Sequence, residues 1–317
     1  MTQQQKSRVL ILAPVMDSLT EKLEQQFSVD KYFDQQDKQA FLAAHGKGIL
    51  GLVTRGDVGV DNSILECLPD LKVISVFGVG TDAIDLAYTA KNNIQVEITS
   101  GVLTDDVADM AMALLLATSR NVCQADKFVR EGKWLEGGFP LSSKISGKRL
   151  GIFGMGQIGQ TIARRASGFD MSISYASNNE KPELPYRFYP DIKHLAAQVD
   201  VLVIAVSGGP QSAGVINKSV FDAMPDNSLV INISRGSVIN QQDLITALLN
   251  KNIGGAGLDV FADEPRVPHE LISMDNVVLQ PHVGSATHET RQAMSEKVLA
   301  NLHKRLDEKS SLKFSVL

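Results

Sequence analysis

Three polar residues in the second half of the chain have the side chains that reduction of a carbonyl group requires. Arg235 stands in "VINISRGSVIN", Glu264 in "GLDVFADEPRVP" and His282 in "VVLQPHVGSAT", each at or just after a run typical of a buried strand. In open parallel sheets, ligands bind beyond the carboxyl ends of the strands, so these side chains are expected to converge there. Together they supply a cation, a proton donor and a carboxylate that orients the donor.

The chemistry that suits this set is the reduction of a 2-keto acid. The guanidinium of Arg235 would bind the substrate carboxylate and polarise the carbonyl. His282, which titrates near neutrality, would donate a proton to the carbonyl oxygen, and Glu264 would hold the other ring nitrogen and favour the imidazolium. Taken singly, each residue also has a structural interpretation: a loop salt bridge for Arg235, a cap for Glu264 and a hydrogen-bonded loop histidine for His282.

A glycine-rich loop earlier in the chain predicts a dinucleotide cofactor. The segment "RLGIFGMGQIGQTIARRA" has Gly154, Gly156 and Gly159 between an apolar strand and a helix. Gly154 permits the turn, Gly156 lets a pyrophosphate approach the backbone, and Gly159 allows the helix to pack closely on the strand. The first helical residues, Gln157 and Ile158, would direct their N–H groups at the phosphates.

The end of the next strand bears on which dinucleotide is bound. A site for NAD usually has an acidic residue there, whereas "MSISYASNN" ends with Ser177 and Asn178. Without a carboxylate to repel a 2′-phosphate, the loop favours NADPH, with Ser177, Asn178 and Lys181 in place of the usual arginine. NADH is the alternative, because polar residues of this kind also form ordinary turns.

The elements that must position these residues follow from the hydrophobic pattern of the 317 residues, a length that favours two domains. Short apolar runs such as "RVLILAP", "KVISVFG" and "VLVIAVS" alternate with helix-length segments such as "QQDLITALLNK". This alternation predicts the α/β class, with parallel sheets covered on both faces. Two long helices are expected, one over about 100–120 with Thr104 as its N-cap and one over about 285–306.

Composition and charge exclude several other classes of protein. With 44% hydrophobic residues, a net charge of −5 and no block of lysine or arginine, the chain has the composition of a soluble globular protein without a nucleic-acid or membrane surface. Cys67 and Cys123 are far apart, so neither a disulfide framework nor a metal site is expected. Because no export signal is present and "MAMALLLA" is too short to cross a bilayer, we expect a cytoplasmic protein.

The ordered motifs identify a family. "VFGVGTDAIDL", "GKRLGIFGMGQIG", "VINISRGSVIN", "GLDVFADEP" and "LQPHVGSAT" resemble the D-isomer-specific 2-hydroxyacid dehydrogenases, and within them the glyoxylate/hydroxypyruvate reductase branch, over nearly the whole chain. The resemblance implies two Rossmann-like domains with a cleft between them, and a homodimer. The flavodoxin-like substrate domain would comprise residues 1–100 and 287–317, and the dinucleotide-binding domain residues 101–286.

The resemblance also assigns further residues. It implies that the Arg, Glu and His named above are catalytic, and that the backbone N–H groups of Val79 and Gly80 bind the substrate carboxylate, with a plain turn at the end of a strand as the alternative. Trp134 resembles the position that reaches a neighbouring subunit's active site, with packing in the dimer as the alternative. Arg55 would contact the substrate or form a surface ion pair, and Asp259 would face the nicotinamide amide. The other residues expected to line the cofactor site are Val206, Ser207, Ile233 and Gly284, with core packing as the alternative for the apolar ones.

These features predict one leading activity and two alternatives. The leading activity is the NAD(P)H-dependent reduction of small 2-keto acids, such as glyoxylate and hydroxypyruvate, to D-2-hydroxy acids, with a histidine as general acid. One alternative is a reductase for a larger or aromatic 2-keto acid, since pocket shape decides such preferences. The other is a non-catalytic, dinucleotide-sensing corepressor or scaffold with the same fold.

Overall fold

The computed structural model describes residues 6–307, and the chain divides into two compact units. The first unit comprises Met1–Leu103 and Thr287–Leu317, and the second comprises Thr104–Ala286. Among the described residues, no helix is long and apolar enough to cross a membrane.

The first unit is built on a five-stranded parallel sheet. Its strands are β1 (Arg8–Ile11), β2 (Ser28–Lys31), β3 (Ile49–Arg55), β4 (Val73–Phe77) and β5 (Gln95–Glu97). They lie in the order β2-β1-β3-β4-β5, which is the flavodoxin-like order. The helices that follow these strands are α1 (Asp17–Gln26), α2 (Lys38–His45), α3 (Asn62–Leu65) and α4 (Leu86–Lys91).

The second unit is built on a seven-stranded parallel sheet. Its strands are β6 (Arg149–Phe153), β7 (Ser172–Ala176), β8 (Arg187–Tyr189), β9 (Val201–Ile204), β10 (Leu229–Asn232), β11 (Gly255–Leu258) and β12 (Val277–Leu279). Their order, β12-β11-β10-β9-β6-β7-β8, reverses direction between β6 and β9, as in dinucleotide-binding sheets. The helices of this unit are α5 (Thr104–Arg120), α6 (Val122–Arg130), α7 (Gln157–Ser167), α8 (Ile192–Ala196), α9 (Lys218–Phe221), α10 (Gln241–Leu249) and α11 (His269–Ser273).

The predicted α/β class with two parallel sheets is confirmed, and two strands fall outside the predicted apolar runs. These strands are β2 and β8, and both lie at the edge of a sheet. Their residues are exposed or half-buried rather than buried. An edge strand has a neighbour on one side only, so it does not need the continuous apolar sequence that identifies a central strand.

Both long helices begin later than the sequence pattern predicts. The first, α5, has Thr104, the predicted N-cap, as its first residue, and it does not extend towards residue 100 because Gly101 with φ +86° lies in the left-handed region. The last helix, α12 (His288–Leu306), begins after Thr287, whose side chain accepts the N–H of Thr290. It packs against β3 and β4 of the first unit. The outer ends of the predicted substrate domain, 1–5 and 308–317, lie outside the described residues.

Each unit has its own hydrophobic core between sheet and helices. In the first unit Leu10, Leu52 and Ile74 are fully buried, and in the second Leu202 and Val230 are. These residues occupy the middle of their strands, so the carboxyl ends of the strands are left for polar residues and loops. Apart from Trp134, the predicted functional residues lie at these ends or in the segments that follow them.

Candidate active site

The glycine-rich loop joins β6 to α7, and the reason why a glycine is needed differs among its three glycines. Gly154 has φ +103°, and a Cβ there would lie 2.6 Å from the backbone nitrogen of Val206. A Cβ on Gly159 would lie 2.1 Å from the carbonyl oxygen of Gly154. At Gly156, by contrast, no packing atom of the described residues lies within 4 Å of a Cβ position. The packing of the chain therefore explains the first and third glycines, but not the second.

The space beside Gly156 fits the phosphates of a dinucleotide. Gly156 is the N-cap of α7, and within residues 6–307 no side chain caps this helix. The first N–H groups of α7, from Gln157 and Ile158, precede the first intrahelical hydrogen bond, which the N–H of Gln160 donates to the carbonyl of Gly156. Free N–H groups at a helix N-terminus beside open space form an anion-binding arrangement.

The turn after β7 carries amide and hydroxyl groups at the position where an acid was expected for NAD. The Ser177 hydroxyl donates to the carbonyl of Asn179 at 2.7 Å, and the N–H of Lys181 donates to the Tyr175 hydroxyl at 2.7 Å. The side chain of Asn178 is exposed. The turn is therefore closed by its own hydrogen bonds and leaves Asn178 open to a ligand.

The loops after β9 and β10 contain the other residues expected near the cofactor. The carbonyl of Val206 accepts a hydrogen bond from the Ser234 hydroxyl, and the carbonyl of Ser207 accepts one from Ser212 at 2.8 Å. Ile233 is buried. Burial of Ile233 is consistent with core packing, the alternative for the apolar positions, whereas Val206 is half-buried and Ser207 is exposed at the end of the sheet.

Glu264 and His282 form a hydrogen-bonded pair in the second unit. Nδ1 of His282 donates to Oε2 of Glu264 at 2.6 Å, while Oε1 of Glu264 accepts the N–H of Phe261 at 3.0 Å. The side chains of His282 and Glu264 are 35% and 30% exposed, so a small molecule can reach them. Nε2 of His282 makes no hydrogen bond within the described part of the chain and is the ring atom available to a substrate.

The pair favours the charged form of the imidazole and the ionised form of the carboxylate. The hydrogen bond to Glu264 raises the pKa of His282 above its ordinary value, against the opposing effects of burial and of the Arg235 charge. Burial alone would raise the pKa of Glu264, but the hydrogen bonds from His282 and Phe261 hold it below its ordinary value. An imidazolium that is oriented through Nδ1 and presents the proton on Nε2 suits a general acid.

Asp259 holds the loop that carries His282. Its two carboxylate oxygens accept the N–H groups of Val283 and Gly284, each at 2.8 Å, and its carbonyl accepts the N–H of His282 at 2.9 Å. His282 itself adopts φ +55°, an uncommon conformation that these bonds sustain. A Cβ on Gly284 would lie 2.8 Å from Oδ2 of Asp259, which explains this glycine. Burial raises the pKa of Asp259, against the two N–H groups that favour the carboxylate.

Arg235 is held in the same way by a buried asparagine. The side-chain amide of Asn232 donates to the carbonyl of Arg235 and its oxygen accepts the N–H of Ser234, both at 3.0 Å. The next residue, Gly236, lies so close to the loop after β11 that a Cβ would be 1.9 Å from the carbonyl carbon of Phe261. This approach brings the charge of Arg235 within range of the Glu264 carboxylate, whose pKa it helps to lower.

The structure thus brings the three predicted catalytic residues together, and two supporting residues lie outside the predicted set. Asn232 is the polar last residue of the otherwise apolar strand "LVIN", and it is almost fully buried. A polar side chain at that point of a buried strand is a signal that can be read from the sequence. Gly236 follows Arg235 directly, but its close contact depends on a loop distant in the chain.

In the first unit, Val79 and Gly80 follow β4 in a turn shaped by glycines. Gly78 has φ +148°, and its N–H and carbonyl are engaged by Val76 and Thr99. Within the described residues, no hydrogen bond engages the N–H groups of Val79 and Gly80. Consecutive free N–H groups in such a turn can bind a carboxylate.

Two further residues expected to contact the substrate, Arg55 and Trp134, have different surroundings within their own units. Arg55, at the end of β3, forms an ion pair with Asp57, which agrees with the surface ion-pair interpretation. Trp134 lies in a short 3-10 helix, Lys133–Leu135, and its surface is 69% exposed.

Comparison with known proteins places the chain in a family. The profile described as "D-isomer specific 2-hydroxyacid dehydrogenase, NAD binding domain" matches residues 112–284. The chain belongs to this family. Among relatives of this dehydrogenase, the hydroxyphenylpyruvate reductase of Plectranthus scutellarioides is 42% identical over 93% of this chain and 94% of that protein. Glyoxylate/hydroxypyruvate reductase A of Arabidopsis thaliana is 42% identical over 96% of this chain and 97% of that protein.

Solved structures agree with this assignment. An NADPH-dependent glyoxylate/hydroxypyruvate reductase from Sinorhizobium meliloti, in complex with NADP and malonate, superimposes with a TM-score of 0.90. It is 37% identical, and the match covers 95% of this chain and 93% of that one. The resemblance found in the motifs is therefore confirmed, and the dehydrogenase is an oxidoreductase that uses a nicotinamide dinucleotide and acts on 2-keto acids.

Proposed function

We propose that this dehydrogenase reduces small 2-keto acids, glyoxylate and hydroxypyruvate in particular, to D-2-hydroxy acids, with NADPH preferred to NADH. The observation that carries the proposal is the 2.6 Å hydrogen bond between His282 and Glu264, in the same unit as the open helix N-terminus at Gly156. The two named substrates come from the relatives in Arabidopsis thaliana and Sinorhizobium meliloti.

The catalytic roles follow from what each side chain can do. The reduced nicotinamide supplies a hydride when it is bound. His282 donates the proton on Nε2 to the carbonyl oxygen of the substrate, while Glu264 keeps Nδ1 occupied and the ring charged. Arg235 binds the substrate carboxylate and polarises the carbonyl, a task that its planar fork of N–H donors suits. The N–H groups of Val79 and Gly80 also bind the carboxylate.

The cofactor assignment rests on the loop glycines and on the turn after β7. The N–H groups of Gly156, Gln157 and Ile158 would hold the pyrophosphate. Ser177 and Asn178 would face the adenosine ribose, where the absence of a carboxylate at either position tolerates a 2′-phosphate. The residues that would complete the cofactor site are Gly154, Gly159, Val206, Ser207, Ile233, Asp259 and Gly284.

The two units have distinct roles in this proposal. The first, with its flavodoxin-like strand order, would be the substrate domain of residues 1–100 and 287–317. The second, with the reversal of strand order next to the glycine loop, would be the dinucleotide-binding domain of residues 101–286.

We further propose a homodimer that uses an exposed apolar surface of the second unit. Helix α6 has no buried residue, and the segment that follows exposes Trp134, Leu135 and Leu141 by 69%, 95% and 100%. Exposed apolar side chains are unfavourable in water and suit burial against a second copy, where Trp134 would pack or reach the partner's substrate. Leu135→Glu with Leu141→Glu should yield a monomer in size-exclusion chromatography with light scattering. Leu249→Glu, at another exposed apolar position, should leave the dimer intact.

A reducing compartment, the cytoplasm, is the proposed location. Cys67 and Cys123 are exposed free thiols, which persist where disulfides do not form. Cell fractionation with an antibody to the chain should place the protein in the cytosolic fraction.

The decisive experiment is a comparison of initial rates with NADPH and NADH, each against glyoxylate, hydroxypyruvate, pyruvate and phenylpyruvate. A clear preference for NADPH with the two small substrates is expected. A preference for NADH would overturn the role of Ser177 and Asn178, and a preference for phenylpyruvate would make the enzyme an aromatic 2-keto acid reductase. If no combination of cofactor and substrate is turned over while dinucleotide binding is retained, the binding-only alternative is favoured. A binding-only protein, however, would not need the hydrogen-bonded pair of His282 and Glu264.

A further inference from the structure

The proposed chemistry leaves one arginine of the first unit without a role. Arg291, in the first turns of α12, places its guanidinium over the ring of Phe77, 5.5 Å from the ring centroid. Phe77 is the last residue of β4, so it directly precedes the turn of Gly78, Val79 and Gly80. Arg291 therefore lies next to the turn whose N–H groups are proposed to bind the substrate carboxylate.

The same place receives a second arginine from the neighbouring strand. Arg55 at the end of β3 is the register partner of Phe77, and partner residues of adjacent parallel strands face the same side of the sheet. Burial lowers the pKa of Arg291 and the positive charge of Arg55 lowers it further, so the two guanidinium groups are close enough to repel each other. Asp57 forms an ion pair with Arg55, and its negative charge raises the pKa of Arg291 against these two effects.

The guanidinium of Arg291 is half-buried and has unused donors. Among residues 6–307 it donates no hydrogen bond and forms no ion pair, and its contact with the Phe77 ring engages the face of the group rather than its N–H bonds. If the only task of Arg291 were to shield the Phe77 ring from water, the aliphatic part of its side chain would be sufficient and the guanidinium would not be needed. A partly desolvated cation with free donors beside a second cation is costly unless it binds an acceptor, which points to a ligand oxygen.

We propose that Arg291 is a specificity-determining residue, which donates hydrogen bonds to an oxygen on carbon 3 of the substrate. The enzyme would then prefer 2-keto acids with a hydroxyl group at that carbon over those with a methyl group in its place. This inference rests on the proposed function and on the binding of the carboxylate by Val79 and Gly80. With the carboxylate held at the turn, the far end of a three-carbon substrate lies within reach of a side chain packed on the residue before that turn.

The test uses two substrates that differ only at this group. Hydroxypyruvate and 2-oxobutyrate have the same number of heavy atoms, with a hydroxyl group in one where the other has a methyl group. The ratio of their kcat/KM values in the wild-type protein should exceed one and should fall by about 10- to 100-fold in Arg291→Met, the range for hydrogen bonds to a charged group. Glyoxylate, which has no carbon 3, should keep its kcat/KM within about twofold.

Two control variants separate this role from a structural one. Arg291→Lys keeps the charge and should retain part of the preference for hydroxypyruvate, while Arg187→Met removes another guanidinium packed on an aromatic ring, that of Tyr189, and should leave the ratio unchanged. Equal losses for all three substrates in Arg291→Met would overturn the proposal, because they would assign Arg291 to folding or to the carboxylate. An unchanged ratio would also overturn it. A wild-type protein that reduces none of the three would instead refute the proposed function itself.

Discussion

The functional groups at the carboxyl ends of the strands are held by different means in the two sheets, whose strand ends are here called the first edge and the second edge. At the first edge, glycines shape the backbone, because the turn at Gly78 approaches Gly56 closely. The groups available to a ligand there are backbone N–H donors. At the edge of the second sheet, buried polar side chains hold the loops: Asn232 holds the loop of Arg235, and Asp259 holds the loop of His282. The difference reflects the two tasks.

Recognition of a carboxylate needs donors at a fixed place, and backbone N–H groups meet that need without a side chain. Proton transfer needs one ring nitrogen in a defined tautomer and orientation, so the side chain and its loop must both be held. We therefore expect changes at the His282 loop of the second sheet to alter rate and pH dependence, and changes at the turn of the first sheet to alter substrate affinity.

The largest effect should come from His282→Ala. Removing the general acid should lower kcat by about 10²- to 10⁴-fold with dinucleotide binding unchanged, as measured by steady-state kinetics and fluorescence titration. His194→Ala is a matched control, since His194 also pairs with a carboxylate, that of Asp191, but at an exposed helix start. A wild-type kcat in His282→Ala would refute the assignment of proton transfer to the second edge.

Asn232→Ala should combine a loss of stability with a loss of rate. The N–H of Ser234 and the carbonyl of Arg235 would lose their buried partner, at a cost of about 1–3 kcal/mol in the free energy of unfolding. Because the Arg235 loop would loosen, kcat/KM should fall as well. Asn217→Ala removes an asparagine that caps α9 and should cost stability alone, about 1 kcal/mol. Equal kinetics in the two variants would contradict a positioning role for Asn232.

Glu264→Gln should shift the pH profile of reduction. Reduction requires the protonated imidazole, and the Glu264 carboxylate raises the pKa of His282, so the wild-type rate should persist to a higher pH than an ordinary histidine would allow. Without that carboxylate the pKa of His282 should fall, and the decline of kcat/KM with rising pH should begin at a lower pH. A profile of unchanged position, measured with glyoxylate, would refute the pairing.

The smallest effect should come from Gly56→Ala at the first edge. Its Cβ would lie 3.2 Å from the carbonyl oxygen of Gly80, so the turn that binds the carboxylate would have to shift slightly. The KM for glyoxylate should rise by less than about tenfold, and the pH profile should stay that of the wild type. A shifted pH profile in this variant would show that the turn of the first sheet also affects the proton transfer by His282.

Much of the site could be predicted because its motifs are local. The glycines at Gly154 and Gly159 are dictated by a turn and a helix start a few residues apart, and a strand that must be buried has an apolar sequence wherever it lies. The same rule explains why β2 and β8 escaped prediction, since edge strands can be polar. The contact between Gly236 and Phe261 also could not be read from the sequence, because it joins separate loops.

The amino-acid sequence alone therefore specifies the α/β class, the dinucleotide loop and the order of Arg235, Glu264 and His282, because periodicity and turn chemistry act over short stretches of chain. The folded structure decides what the sequence leaves open: that Asp259 holds the loop of His282, that Asn232 holds that of Arg235, and that Arg291 stacks on Phe77. Contacts of this kind depend on strand order and register, which bring together residues that no local pattern relates.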